Sequence, residues 1–129
     1  MKMLLIDSER GEDRVVETEG GLDNYYKLLD CDLVDITTRS IGGELFDIIS
    51  DDEGLLKDDR IVSAVDKKGR PALVGNLLIS KADEEEGRQI GLTDEELFHC
   101  QLHIADATSP DGHHFHVIVL DEEEERWEE

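Results

Sequence analysis

Cysteines, basic side chains and long apolar runs are all scarce in this sequence of 129 residues. Cys31 and Cys100 are too few for a disulfide framework and lack Cys-x-x-Cys spacing, so we expect reduced, buried thiols. No apolar run approaches the roughly 18 residues of a membrane span, and residues 1–7 are too short and too soon acidic for a signal peptide. The sequence therefore predicts a cytoplasmic protein that does not insert into a membrane.

Basic residues are heavily outnumbered, because 13 Lys and Arg stand against 34 Asp and Glu, for a net charge of −21. Nucleic-acid-binding proteins gain affinity by neutralising phosphates with Lys and Arg, so we expect no direct contact with nucleic acid or anionic lipid. The same charge would attract a basic surface, such as the nucleic-acid groove of another protein. Solubility or adaptation to high salt is an alternative explanation, because net charge governs association and not the fold.

Catalytic motifs are absent as well. No segment follows the phosphate-loop patterns G-x-x-x-x-G-K-[ST] or G-x-G-x-x-G, no serine lies in a nucleophile elbow, and neither cysteine has the motif of a nucleophile. Pairs of carboxylates are expected by chance among 34 acids. We therefore expect a protein that is not an enzyme and that needs no cofactor.

The length and the hydrophobic pattern predict one domain over residues 1–120, followed by an acidic tail over residues 121–129 that we expect to be disordered. The hydrophobic fraction of 38% is below the usual ~45–50%, but it is gathered into short patterned runs. The fold class that these runs predict is α+β, a mostly antiparallel sheet with one or two short helices and a C-terminal β-hairpin.

The first half of the sequence predicts strands joined by tight turns, with one helix. Residues 3–6 form a short apolar strand, and the apolar spacing i, i+3, i+4, i+7 over residues 22–29 predicts a helix. Gly42-Gly43 between residues 33–38 and 45–49 predicts a hairpin, because a type I′ turn needs positive φ at both central residues.

The second half is more ambiguous. Residues 61–65 are consistent with one or two helical turns, and residues 73–79 predict a central strand in which Gly75 marks a bulge or a close backbone approach. Thr93 and Glu96 form a capping box, which predicts a short helix from Asp94.

All five histidines fall within 18 consecutive residues, 99–116. Apolar residues alternate from Phe98 onward and again after a turn at residues 109–112, which predicts a hairpin over residues 98–120. A continuous helix over residues 93–105 is the alternative.

The hairpin would place four of these histidines on one face: His99 and His103 beside His114 and His116. Facing imidazoles at strand spacing bind zinc or copper, and they change charge between pH 5 and 8. The alternative is an exposed sheet face with permissive polar residues.

A second candidate site combines backbone-accessible glycines with the local excess of basic residues in segment 57–70. Its residues are Gly42, Gly43, Gly75, Asn76, Lys57, Arg60 and Arg70. Such a combination suits a small anionic, nucleotide-like ligand. A solvated loop is the alternative for the basic segment.

Several short motifs follow one another in a characteristic order over about the first 80 residues. They are Gly20-Gly21-Leu22, Tyr25, Leu28-Leu29, Cys31-Asp32-Leu33-Val34-Asp35, Ile41-Gly42-Gly43, Asp47-Ile48, Asp51-Asp52-Glu53-Gly54-Leu55-Leu56 and Val74-Gly75-Asn76. In this order the sequence resembles the family of domains of unknown function numbered 3846. The resemblance implies a setting among accessory proteins of phages, plasmids and integrative elements, which often antagonise host defence, and it transfers no catalytic residue.

Three functions follow from these observations. The first is a non-enzymatic accessory protein of a phage or mobile element, an acidic inhibitor of a host nucleic-acid-processing or defence protein such as a restriction or CRISPR effector. The second is a homo-oligomer that sequesters a nucleotide-derived immune signal, and the third is a histidine-based module that responds to metal. We favour the first, because the charge is a property of the sequence, whereas a pocket is inferred.

Overall fold

The computed structural model describes residues 1–8, 10–52, 61–83, 85 and 88–122, which form two β-sheets with a shared core and two short helices. In chain order the elements are β1 (Lys2–Asp7), β2 (Glu12–Glu17), α1 (Leu22–Leu29), β3 (Val34–Ile41), β4 (Glu44–Asp51), β5 (Val62–Asp66), β6 (Pro71–Val74), β7 (Leu77–Ala82), β8 (Gln89–Ile90), α2 (Asp94–Gln101), β9 (Ile104–Thr108) and β10 (His114–Leu120). The predicted α+β class with a mostly antiparallel sheet is confirmed.

The larger sheet has the strand order β2-β1-β7-β4-β3, with β8 paired to β7, and its strands pair antiparallel throughout. The smaller sheet has the order β6-β5-β10-β9, in which β5 and β10 are parallel. Because β5 and β10 are far apart in the sequence, this parallel pairing depends on long-range packing and has no local turn signal.

The larger sheet is buried on both faces, which explains the continuous apolar runs in its central strands. One face packs against the smaller sheet and α2, through side chains such as Leu4, Phe46 and Ile118. The other face packs against α1, through Tyr25 and Leu29. Full burial of each such side chain contributes about 1.5–3 kcal/mol.

Both helices begin where the local sequence predicts. α1 covers the predicted residues 22–29, and its chain leaves the helix at Asp30, which has a left-handed φ of 55°. α2 begins after the predicted capping box, in which Thr93 and Glu96 exchange side-chain and backbone hydrogen bonds of 2.8 and 3.1 Å. The predicted hairpin turn is also confirmed, because Gly42 and Gly43 have φ values of 58° and 85° between paired β3 and β4.

The segment after residue 97 departs from the prediction. Residues 98–101 continue α2, so the strand predicted to begin at Phe98 starts only at Ile104. The capped start of α2 and the burial of Cys100 outweigh the alternating pattern, which by itself favours a strand. β10 pairs with β5 as well as with β9, so this segment belongs to a four-stranded sheet.

Two other predictions in the second half are wrong. Residues 61–65, interpreted as helical turns, belong mostly to strand β5. Residues 73–79 are not one strand, because the chain turns at Gly75 and Asn76 and passes from the smaller sheet to the larger. Gly75 has a φ of 79° and its N–H donates to Ile61 O at 2.8 Å, which fixes the turn.

The two helices are short. Each described helix has 8 residues, about 12 Å in length, and none of the helices in the described segments is long and apolar enough to cross a bilayer.

The predicted tail begins at Asp121, but this residue is anchored in the fold by Gly43 and Lys67. Residues 123–129 lie outside the described part of the chain.

Candidate functional site

The structure has two ends with different chemistry. The end where β3 turns into β4 and where β10 finishes is termed the histidine end, and it contains Gly42, Gly43, Lys67, His99, His103 and Asp121. The end where β1 finishes and β10 begins is termed the cleft end. It contains Ser8, Arg10, Gly11 and Ile61 together with residues 108–111 and 113–115.

At the histidine end, two imidazoles pack against the backbone of the β3–β4 turn. His99 Nε2 donates to Ile41 O at 2.7 Å, and His103 Nδ1 donates to His99 O at 2.9 Å. A β-carbon at Gly42 would lie 2.4 Å from the His103 ring, so only glycine allows this approach. Both histidines therefore hold α2 against the hairpin.

Asp121 closes the same end from the C-terminal side of β10. Its Oδ2 accepts hydrogen bonds from Ser40 Oγ and from Gly43 N, the latter at 2.8 Å, and Lys67 Nζ lies 3.3 Å from Oδ1. These hydrogen bonds, Ser40 first, lower the pKa of Asp121 to about 2. Asp121 thus links the two sheets as an ionised carboxylate.

At the histidine end, the Lys81 ammonium packs over the ring of Phe46. Lys81 Nζ lies 4.7 Å from the centre of the Phe46 ring and 3.0 Å from a carboxylate oxygen of Glu44. Burial, followed by the charges of Glu44 and Glu96, raises the pKa of Cys100 to about 12. Cys100 is therefore a protonated core thiol at neutral pH, as predicted.

The predicted zinc or copper site does not assemble as the sequence analysis expected. His99 lies on α2 and His103 just after it, packed on the β3–β4 turn, whereas His114 and His116 lie on β10. The helical course of residues 98–101 separates the two pairs. Across residues 1–8, 10–52, 61–83, 85 and 88–122, no three His, Cys, Asp or Glu side chains are grouped so that they could hold a metal ion.

The cleft end is open to solvent and has room for a ligand. A cleft of about 620 Å³ lies between the β1–β2 turn, Ile61 and the β9–β10 turn. This volume is within the range of about 300–1,000 Å³ that is typical of small-molecule sites. The Arg10 side chain is 72% exposed, with its Nε 4.0 Å from Asp7 Oδ2, and the His113 side chain is 83% exposed, with its Nδ1 3.3 Å from Asp111 Oδ2.

The wall on the β1 side is fixed by buried polar contacts. Burial opposes ionisation of Asp7, yet hydrogen bonds from Arg14 at 2.8 Å and Arg10 N at 3.1 Å lower its pKa. Ser8 N and Oγ both donate to Asn76 Oδ1, at 2.8 and 3.0 Å. The Asp7 carboxylate therefore holds the backbone of Arg10 at this wall.

The opposite wall is a turn held by Ser109. Its N–H donates to His113 O at 2.8 Å, its Oγ accepts from His113 N at 3.1 Å, and Asp111 also bonds to the same hydroxyl. The Ser109 hydrogen bond, the largest cause, lowers the pKa of Asp111. Phe115 and Pro110 add apolar surface to this wall.

The two walls are joined by a histidine and a glycine. His116 Nδ1 lies 2.6 Å from Asp13 on β2, and its Nε2 lies 3.1 Å from Asp106 on β9. A β-carbon at Gly11 would lie 2.7 Å from His114 O, and His116 N donates to Gly11 O at 3.1 Å. The β1–β2 turn therefore packs directly on the start of β10.

The residues predicted to bind a small ligand are divided between the two ends. Asn76 supports the cleft through Ser8, and Gly75 bonds to Ile61, which lines it. Gly42 and Gly43 lie at the histidine end. Arg70 Nε pairs with Asp66 at 2.6 Å, in the β5–β6 turn, and is not among the residues that line the cleft.

Lys57 and Arg60, the other predicted ligand residues, lie outside the described residues. The sequence analysis missed Arg10 and His113 as cleft residues, because each lies in a polar turn without a motif. Their proximity depends on the contact of Gly11 with β10, which joins positions about 100 residues apart.

The exposed carboxylates are spread over both sheets and both helices. They include Glu12 and Glu17 on β2, Asp23 on α1, Asp35 on β3, Asp94 and Glu95 on α2, and Asp106 on β9. In the described ranges, the exposed acidic residues therefore lie on several elements and not on one strand or helix.

These observations define a small α+β domain of two sheets with a ligand-sized cleft at one end. The chain belongs to the family described as Domain of unknown function (DUF3846), which matches residues 1–104. The match confirms the resemblance and extends it from residue 80 through α2. No curated protein and no solved structure matches the chain.

Proposed function

We propose that this protein is a non-enzymatic binding protein whose cleft holds a small anionic ligand of nucleotide size. The single observation that carries this proposal is the cleft of about 620 Å³ with Arg10 and His113 on its walls. In a chain of net charge −21, Arg10 supplies a positive charge at this cleft, whose lining also includes the Asp111 carboxylate. The proposal retains the sequestration role inferred from the sequence and moves it to different residues.

The two kinds of surface in the cleft suit the two parts of a nucleotide-like ligand. Arg10 provides a guanidinium that can bind a phosphate through paired N–H donors. Ile61, Pro110 and Phe115 provide apolar surface for a base or another flat group.

The proposal is tested by thermal unfolding in the presence of inorganic phosphate, a nucleoside monophosphate, a cyclic dinucleotide and an uncharged nucleoside. We expect the phosphorylated compounds to stabilise the protein, by about 2.7 kcal/mol at 100 times Kd, and the nucleoside to have little effect. Arg10→Gln should weaken phosphate-dependent binding about tenfold or more, because a hydrogen bond to a charged group contributes about 1.5–3 kcal/mol.

Lys27→Gln is the matched control, because it removes the same charge from exposed α1 and should leave binding unchanged. Absence of stabilisation by any phosphorylated compound at high excess would contradict the proposal. If both variants lost binding equally, the loss would reflect the change in net charge and not a contact of Arg10 with the ligand.

A second candidate function is the acidic inhibitor of a host nucleic-acid-processing or defence protein, in the setting of a phage or mobile element. The net charge of −21 supports it, because complementary potentials accelerate association. Complex formation with a basic effector should weaken as salt rises. Association that is indifferent to salt would exclude electrostatic mimicry.

A further inference from the structure

The cleft carries opposite charges on its two walls. Arg10 lies on the wall of the β1–β2 turn and Asp111 lies on the wall of the β9–β10 turn. The other described residues that line the cleft are histidines or uncharged residues. A ligand that is only an anion is therefore attracted by one wall and repelled by the other.

The positive charge of Arg10 is accessible to a ligand. Its Nε lies 4.0 Å from Asp7 Oδ2, whereas Arg14 Nη1 lies 2.8 Å from the same oxygen. Arg14 is therefore the closer counter-charge of Asp7. Because a guanidinium has five N–H donors and the Arg10 side chain is 72% exposed, it retains donors for a bound anion.

The carboxylate of Asp111 is held in place by its own turn. Ser109 Oγ donates to Asp111 Oδ1, and His113 Nδ1 lies 3.3 Å from Asp111 Oδ2. Ser109 is itself fixed, because its N–H donates to His113 O at 2.8 Å and its carbonyl accepts from Gly112 N at 2.9 Å. The negative charge therefore has a defined position on the cleft wall.

These contacts leave part of the carboxylate for a ligand. The hydrogen bond from Ser109 lowers the pKa of Asp111, so the group is ionised at neutral pH and only accepts hydrogen bonds. An ionised carboxylate has about four lone-pair positions, two on each oxygen. One contact on each oxygen leaves one position on each, and the side chain is 69% exposed. Two neighbouring donors therefore suit this group.

We infer that Asp111 is the specificity-determining residue of the cleft, and that it selects anionic ligands that also carry two neighbouring neutral donors. This inference rests on the proposed anion site at Arg10. Two parts of a nucleotide have this chemistry, namely the vicinal hydroxyls of ribose and the adjacent ring N–H and amino N–H of guanine. Carboxylates accept from ribose hydroxyls in dinucleotide-binding sites. Either donor pair offsets the repulsion that a phosphate meets from Asp111.

The test compares matched ligands by isothermal titration calorimetry at neutral pH. They are adenosine monophosphate, dideoxyadenosine monophosphate and dideoxyguanosine monophosphate, and the dideoxyadenosine compound lacks both donor pairs. We expect at least one of the other two to bind about tenfold more tightly than it, because hydrogen bonds to a charged group are strong. A gain for the adenosine compound assigns Asp111 to the ribose hydroxyls, and a gain for the dideoxyguanosine compound assigns it to the guanine edge.

Asp111→Asn keeps the size of the side chain and an oxygen that accepts from Ser109, but it removes the charge and one of the paired acceptors. The variant should lose the gain, yet bind inorganic phosphate at least as tightly as the wild type, because a repulsive charge is gone. A merely structural role of Asp111 would weaken both. Asp23→Asn is the matched control, since it removes the same charge from the exposed first turn of α1 and should retain the gain.

The outcomes separate this inference from the anion site on which it rests. Equal affinity of the wild type for all three nucleotides, with phosphate binding intact, overturns the role of Asp111 and leaves the anion site at Arg10 standing. Weaker binding of inorganic phosphate by Asp111→Asn also overturns that role. If neither inorganic phosphate nor any nucleotide binds the wild type, the anion site itself is contradicted, and the role of Asp111 with it.

Discussion

The histidine end and the cleft end use the same residue types for different purposes. At each end a glycine with positive φ lets two segments meet, and histidines lie beside it. At the histidine end, both imidazoles donate to backbone carbonyls within the fold. At the cleft end, His113 and Arg10 remain mostly exposed beside a ligand-sized space.

A cluster of histidines in the sequence does not by itself define a site. Whether an imidazole supports the fold or faces a ligand depends on which backbone groups lie within reach of its nitrogen atoms. His99 lies 2.7 Å from Ile41 O, so this nitrogen is already used within the fold.

The largest effect is expected for Gly11→Ala at the cleft end. The new β-carbon would lie 2.7 Å from His114 O and 3.1 Å from Phe115 Cα, and these are backbone atoms that cannot move alone. Left-handed strain costs about 1–2 kcal/mol and overpacking costs about 1–3 kcal/mol. Together they predict that the free energy of unfolding, measured with urea, falls by about 2–5 kcal/mol.

Gly112→Ala is the control for that prediction, because Gly112 also has a positive φ of 92° and has no atom within 4 Å of a β-carbon. It should show the strain alone. Equal losses in the two variants would mean that the contact of the β1–β2 turn with β10 contributes little.

A smaller loss is expected for Gly42→Ala at the histidine end. Its β-carbon would meet the His103 ring at 2.4 Å, and a side chain can rotate away where a backbone cannot. We expect a loss of about 2–3 kcal/mol in urea unfolding. Adding His103→Ala should recover part of this loss, whereas no side-chain deletion should rescue Gly11→Ala.

Gly43→Ala is the matched control at this end, since it has a φ of 85° and open space around a β-carbon. If His103→Ala recovered none of the stability lost in Gly42→Ala, the His103 ring would not be the group that the new β-carbon meets.

The smallest of the three effects concerns acid stability. The pKa of Asp121 is about 2 in the folded protein against an ordinary value of 3.8. Its ionised form therefore stabilises the fold fully above about pH 4 and loses this effect as pH falls toward 2, by roughly 2 kcal/mol in total. Asp121→Asn should flatten the pH dependence of unfolding in this range.

Glu122→Gln removes the same charge one residue further along and should leave the pH dependence of unfolding in acid unchanged. Part of the acid dependence should remain in Asp121→Asn, because Asp7 at the cleft end also has a lowered pKa. If Asp121→Asn did not change the dependence of unfolding on acid pH, the ionised carboxylate would not stabilise the contact between the sheets.

Much of the local structure was predictable from the sequence. The helical spacing of residues 22–29, the capping box at Thr93 and the Gly42-Gly43 turn all formed as expected, because each depends on contacts within a few residues. The family resemblance was also correct over the residues on which it depended.

The candidate site was not predictable in the same way. Asn76 was correctly associated with a polar turn, yet its role as the acceptor for Ser8 joins positions that are 68 residues apart. The predicted grouping of His99 with His114 was wrong. The alternating pattern from Phe98 favours a strand, but residues 98–101 belong to α2, which packs on the core.

The amino-acid sequence by itself determined the acidic surface, the starts of both helices and the chemistry of the tight turns, since these depend on composition and on neighbours along the chain. Only the tertiary structure decided which histidines meet a backbone carbonyl, which arginine faces a cleft and which strand is left at an edge. Those outcomes depend on the order of strands in two sheets, which long-range burial fixes and no local pattern records.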